Sequence, residues 1–276
     1  MKDALIITVL SVVPQRLGAR MNGWFARLPI SSSIHHAVIR WYCKRYSVDM
    51  DDFVGTVEDY PTLAEFFVRA MREGKRPIDP APGVLVSPAD ARAASFGSLK
   101  GHELPDDAGM KLNIKDMLGD DRYEDGEYAV LYLSPRDYHR VHHPAEGRIL
   151  GYRYLPGRLW PVFPAATRKV ENLFAVNERL VVRVATQSAG EIAVVLVGAY
   201  GVGRMTASFS DIVTNTSAQG AETRDFEAAI PVARGEELGR FNLGSTVVLV
   251  AEKGKLAWDL PKGEMVQVGQ AIARIL

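Results

Sequence analysis

The rhythm of hydrophobic and polar positions changes once along this chain. Residues 4–13, ALIITVLSVV, form an apolar run broken only by Thr8 and Ser11 and closed by Pro14. HHAVIRWYCKRYSV and PTLAEFFVRAMREG then space their apolar residues as helices do. Thr62 stands three residues before Glu65, the spacing of a capping box at a helix start. Beyond Pro77 the pattern gives way to short β-branched runs punctuated by Gly, Pro and Asp: GVLVSPAD, EYAVLYLSP, GRILGYRYLPG, RLVVRVAT, EIAVVLVGAYGVG, STVVLVAEKG and EMVQVGQAIARIL. These predict a mostly antiparallel β region, interrupted by one helix around KLNIKDMLGD. Strands do not alternate with long helices, and no repeat of fixed period occurs. The expected fold is α+β: a small helical layer over residues 1–76, packed on a β-rich domain over residues 77–276.

Composition narrows the function classes. The 276 residues carry 33 basic and 33 acidic side chains, with 47% hydrophobic residues. That balance suits a folded globular chain and removes the basic footprint of a nucleic-acid binder. A single cysteine, Cys43, leaves no internal disulfide and no thiolate zinc site within one chain.

Charge does change the reading of the N-terminus. Residues 1–48 carry seven basic groups (Lys2, Arg16, Arg20, Arg27, Arg40, Lys44 and Arg45) against one acid, Asp3. The apolar run is shorter than the roughly 20 residues needed to cross a bilayer. No small-x-small cleavage site follows it, which argues against a signal peptide. An apolar helix with basic flanks, together with Trp24 and Trp41, is expected to lie on an anionic membrane surface. The alternative is a core helix with solvated arginines.

Three of the six histidines, His139, His142 and His143, fall in SPRDYHRVHHPAEG, directly after the strand EYAVLYL. The HxxHH spacing lacks the HExxH pattern and a carboxylate at a matching offset, so no metal is expected. The cluster instead concentrates groups able to move protons near neutral pH. Asp90 ends SPAD after the strand GVLV, and Gly244 and Ser245 open the strand STVVLVA. Each is an ordinary turn residue when taken alone. Together, Asp90, His142 and Ser245 hold the parts of an Asp–His–Ser relay, which folded geometry rather than chain order defines. The GxSxG elbow of many serine hydrolases is absent.

The chain resembles phosphatidylserine decarboxylases of the bacterial and mitochondrial type. The resemblance runs through TLAEFFVRAMREGKRPID, VSPAD, YLSPRDYHRVHHPAEG, YLPGRLW, ENLFAVNERL, VLVGAYGVG, RGEELGRFNLGST and GEMVQVGQAIA. DYHRVH and LGST are the most specific of these. One departure is Ala91, where the family usually has glycine after the aspartate; it removes no reacting group.

The resemblance implies an enzyme that makes its own cofactor. Ser245 would attack the Gly244 carbonyl with His142 as base and Asp90 orienting the imidazole. The ester would eliminate, and hydrolysis with loss of ammonia would leave a pyruvoyl group at residue 245. The products would be a large chain, 1–244, and a small chain, 245–276. The pyruvoyl would act as electron sink, through an imine, in converting phosphatidylserine to phosphatidylethanolamine and CO2. His139 is the candidate proton donor in that step. The resemblance also implies a homodimer attached peripherally to the cytoplasmic face of a bacterial-type cell membrane. Two rivals from other classes stand beside it: a serine hydrolase using the same residues, and a biotinyl or lipoyl carrier with Lys253 or Lys255 as attachment point.

Overall fold

A computed structural model describes residues 32–200, 204–216, 220–242 and 245–276. The run at 4–13, Trp24 and Gly244 lie outside the described residues. Five α-helices are described, α1 (Ser32–Tyr46), α2 (Leu63–Phe67), α3 (Ile114–Leu118), α4 (Pro164–Thr167) and α5 (Leu173–Val176). The strands are β1 (Val84–Val86), β2 (Ala91–Ser98), β3 (Glu127–Leu133), β4 (Arg140–His142), β5 (Gly147–Leu155), β6 (Arg179–Thr186) and β7 (Glu191–Gly198). They continue with β8 (Met205–Ala207), β9 (Glu222–Val232), β10 (Glu237–Phe241), β11 (Ser245–Ala251), β12 (Leu256–Trp258), β13 (Met265–Val266) and β14 (Ala271–Ile275).

Eight strands form one sheet in the order β13-β2-β3-β11-β7-β6-β5-β9. Two three-stranded sheets, β1-β14-β12 and β4-β10-β8, accompany it. Every pairing between these strands is antiparallel. The architecture is α+β, as the apolar spacing predicts.

The centre of the large sheet is buried on both faces, which explains why Val247–Ala251 of β11 read as an unbroken hydrophobic run. Val247, Leu249 and Ala251 join the core that spans β1, β5 and β14. Val248 and Val250 face a second core with Met117, Trp160 and Phe174. Period-two geometry sends alternate side chains into the two cores, so neither set can be polar. A smaller cluster of Ile39, Tyr42, Phe66 and Phe67 joins α1 to α2.

Several elements depart from the predicted ones. The helix expected through PTLAEFFVRAMREG ends at Phe67. Its start is as predicted, with Thr62 Oγ1 accepting from Glu65 N at 3.2 Å. It stops because Met71 pairs with Phe53 and Arg72 N donates to Asp52 O, tertiary bonds that take groups a longer helix would use internally. The single helix expected within the β region is joined by α4 and α5. EMVQVGQAIARIL splits into β13 and β14, which belong to different sheets. The turn between them contains Gly269 at φ 84°, where a Cβ would meet Pro77 O at 2.6 Å. Only glycine fits both the left-handed backbone and the close approach.

Candidate active site

The site assembles at one end of β11. The backbone of Ser245 pairs with Leu133 of β3 and with Gly198 of β7. The chain leaving Leu133 becomes the loop Ser134–His139, so the ladder places the histidine segment beside the start of β11. Phe241 N donates to His139 O at 2.9 Å, which ties that segment to β10 just upstream of Gly244.

The loop is held by its own carboxylate. Asp137 accepts from Ser134 N at 2.7 Å and from Ser134 Oγ at 2.8 Å. Burial nevertheless pushes its pKa above the usual carboxylate range. His139 is fully buried, and its Nδ1 donates to Asp137 O at 2.7 Å. Its Nε2 has no hydrogen-bond partner among the described residues. Burial, with Arg69 nearby, lowers the imidazole to about 3, so the ring is neutral at pH 7.

His142 ends β4. Its Nδ1 donates to Gly235 O at 2.8 Å, leaving Nε2 as the acceptor, 3.2 Å from the Tyr138 hydroxyl. Burial raises Tyr138 to about 12, so the phenol keeps its proton and donates it to Nε2. The Tyr138 and His142 rings stack with centroids 5.7 Å apart. The neighbouring His143 is buried with neither ring nitrogen bonded among the described residues, and burial lowers it to about 4.

Asp90 lies close by but is engaged elsewhere. His142 N donates to Pro88 O at 2.8 Å, bringing the SPAD turn against β4. The Asp90 carboxylate accepts from Val268 N at 2.8 Å and from Arg76, through Nη2 at 2.7 Å and Nε at 3.0 Å. Burial holds His142 below its usual value, opposed by the Gly235 carbonyl, by the charge of Glu237 and, least, by that of Asp90. No hydrogen bond joins Asp90 to His142 in this arrangement. Their side chains therefore share a neighbourhood without forming the relay contact expected from the sequence.

Four residues of the site escaped sequence reasoning as individuals. Arg76 grips Asp90, Tyr138 faces His142, Gly235 supplies the carbonyl for its Nδ1, and Arg69 reaches the Ser134–His139 loop. All four lie inside segments that carry the resemblance, so the signal was present but attached to no role. Of the carrier candidates, Lys253 is paired with Asp125 at 3.0 Å.

By class, this is an α+β protein whose antiparallel sheet gathers buried acid–base side chains at the end of β11. Residues 63–274 match the family described as Phosphatidylserine decarboxylase. The chain is 39% identical over 281 residues to the phosphatidylserine decarboxylase proenzyme of Myxococcus xanthus strain DK1622, with 100% of both chains covered. It is 40% identical over 280 residues to the proenzyme of that name from Anaeromyxobacter sp. strain K, covering 99% of each. A third, from Brevibacillus brevis strain 47, is 36% identical over 281 residues, again covering 99% of each. The chain belongs to the phosphatidylserine decarboxylase family.

Proposed function

We propose that this chain is a proenzyme that cuts itself between Gly244 and Ser245 and then converts phosphatidylserine to phosphatidylethanolamine and CO2. The observation that carries the reading is the position of Ser245 as first residue of β11, locked in register between Leu133 and Gly198 beside the His139 loop. A cut before Ser245 leaves the new chain end anchored by its own strand ladder.

Each histidine has the protonation state its step requires. His142, with Nδ1 committed to Gly235, keeps Nε2 as its acceptor, and turning the Tyr138 hydroxyl away would free that lone pair for the Ser245 hydroxyl. Glu237 and, to a smaller degree, the Arg76-paired Asp90 support the imidazolium that results, by charge. The fit to a pyruvoyl group rests on the unpartnered, buried Nε2 of His139 next to the strand end that would bear it. When present, that group at residue 245 supplies an electron sink for the pair left by departing CO2. A neutral His139 cannot donate first. Its Nε2 takes a proton from the substrate ammonium and later returns one to the carbon that lost CO2.

The substrate is a lipid, and α1 presents a surface suited to one. Ile34, Val38 and Trp41 recur at helical spacing and are exposed, Trp41 at 61%. Lys44 and Arg45 close the same helix. An apolar stripe next to basic side chains fits an anionic leaflet, and the basic, apolar first 31 residues of the sequence add to the same side of the balance. No helix among the described residues is long and apolar enough to cross a membrane. These features support peripheral attachment to an anionic leaflet, and the family resemblance points to the cytoplasmic face.

The test is direct. Vesicles containing phosphatidylserine are incubated with the purified chain and the lipids analysed. Phosphatidylethanolamine should accumulate with wild type and not with Ser245→Ala; equal formation by both would overturn the proposal.

A further inference from the structure

Arg69 plays no part in the steps above, yet it occupies an expensive position. It is 1% exposed, and no carboxylate among the described residues forms an ion pair with it. Its guanidinium lies over the Phe53 and Phe66 rings, 4.0 Å and 4.8 Å from their centroids. Nη1 donates to Phe66 O at 3.4 Å. Nη2 crosses to the histidine loop, donating to Arg136 O at 2.9 Å and Asp137 O at 3.3 Å. A buried cation held by carbonyls and aromatic faces is costly to keep unless it does something for the groups it touches.

We propose that Arg69 is a positioning residue that fixes His139 as a neutral imidazole protonated on Nδ1, leaving Nε2 as the proton acceptor. The Asp137 carbonyl is the link. It can only accept, and it takes the Nδ1–H of His139 and an N–H of Arg69 on the same oxygen. Arg69 also holds the preceding carbonyl, so two successive peptide groups of the loop are fixed from one side chain. Two residues earlier, Phe67 packs its ring 4.1 Å from the imidazole centroid. One short segment of the helical layer thus sets both the face and the hydrogen bond of the histidine.

Charge acts in the same direction as geometry. Burial is the larger influence opposing a second proton on His139, and the Arg69 cation is the next. The charges that could offset it are occupied. Asp137 meets Ser134 and Arg136, Glu237 is paired with Arg140, and Asp90 with Arg76. Tyr42, the titratable group that α1 brings against this loop, donates its hydroxyl to Pro135 O and is pushed by burial to stay protonated. Arg69 is therefore the cation that acts on the imidazole without a carboxylate bonded to it.

The inference rests on the reading that His139 serves decarboxylation, but its first test does not. Full-length protein labelled with 15N-histidine is followed by NMR from about pH 5 to pH 8, the range in which an ordinary histidine titrates. His139→Gln identifies the signals. Wild type should show a neutral ring protonated on Nδ1 throughout; an Nε2-protonated or cationic ring would overturn the proposal without recourse to any variant at Arg69. Arg69→Met keeps the side-chain length and removes charge and fork, and should let the ring mix tautomers or gain a proton within that range. Arg69→Lys restores charge without the fork, and should keep the ring neutral while the tautomers mix. In activity, the acid limb of kcat/KM should move toward neutral by about one pH unit in Arg69→Met, about tenfold at a fixed acidic pH, and stay in place in Arg69→Lys. An unchanged ring and limb in Arg69→Met would overturn the proposal. If the NMR result holds but His139→Gln decarboxylates normally, the decarboxylation reading fails and the role of Arg69 toward the ring stands.

Discussion

Arg76 and Asp90 form a nearly buried ion pair in which one guanidinium reaches both carboxylate oxygens. The pair joins GKRPID to VSPAD, and Asp52 meets the same guanidinium at 3.0 Å. Removing one partner leaves the other charged and poorly solvated. Arg76→Met should therefore lose about 3–5 kcal/mol of stability in urea unfolding, the scale for breaking a buried pair. Asp90→Asn in the same background should recover part of it. A loss below about 1 kcal/mol would mean that the pair is solvated in the working protein.

Self-cleavage and turnover should separate at the two histidines. His142→Ala should accumulate uncut chain, and Asp90→Asn should slow cutting through loss of charge support for the imidazolium. His139→Ala should still yield two chains on a denaturing gel, with turnover reduced by about 10²- to 10⁴-fold. The reverse pattern, an uncut His139→Ala beside a normally cut His142→Ala, would exchange the roles.

Acid sensitivity should come first from buried neutral imidazoles. His139 and His143 are held to about 3 and about 4, whereas unfolded histidines titrate near 6.5. Below about pH 6.5 the unfolded chain binds two protons that the folded one refuses, so stability falls by up to about 2.7 kcal/mol per pH unit. The loss continues until His143 and then His139 protonate in the folded state. Carboxylates held low contribute with the same sign at lower pH; Asp120, kept near 2 by Arg122, matters only below about pH 4. Chemical unfolding at several pH values should show this slope, and His143→Leu should roughly halve it. A flat profile from about pH 6.5 to pH 4 would contradict the buried, neutral state.

Membrane attachment should depend on the α1 stripe. Replacing Ile34 and Trp41 together by Ser should weaken binding to anionic vesicles by about tenfold or more, given the apolar area removed. Both side chains are exposed, so the fold should survive. Undiminished flotation with anionic vesicles would assign attachment to another surface.

How far the sequence could be read follows from which physics is local. Long apolar runs such as VVLVA and IAVVLV are legible because burial on both faces favours hydrophobic residues at successive positions. β2 is not: ARAASFGS is built of small residues with little strand preference, and pairing with β3 decides its state. β9 was missed because an edge strand with Glu222, Arg224, Asp225 and Glu227 reads as loop. At the site, residue types that carry chemistry stood out in the sequence, and their partners did not. The bonds from Arg76 to Asp90 and from Arg69 to Asp137 span 14 and 68 positions, and nothing in local spacing announces them. The contact expected between Asp90 and His142 is replaced by two others, to Arg76 and Gly235, for the same reason.

The central claim is that Ser245 becomes the reactive end of a second chain. Intact mass spectrometry of the purified, denatured protein measures this directly. The account predicts two species, residues 1–244 with a free carboxylate and residues 245–276 bearing a ketone in place of the terminal amine, with only uncut chain from Ser245→Ala. A single uncut mass from an active wild-type preparation, or a small chain that begins with an unmodified serine, would contradict it.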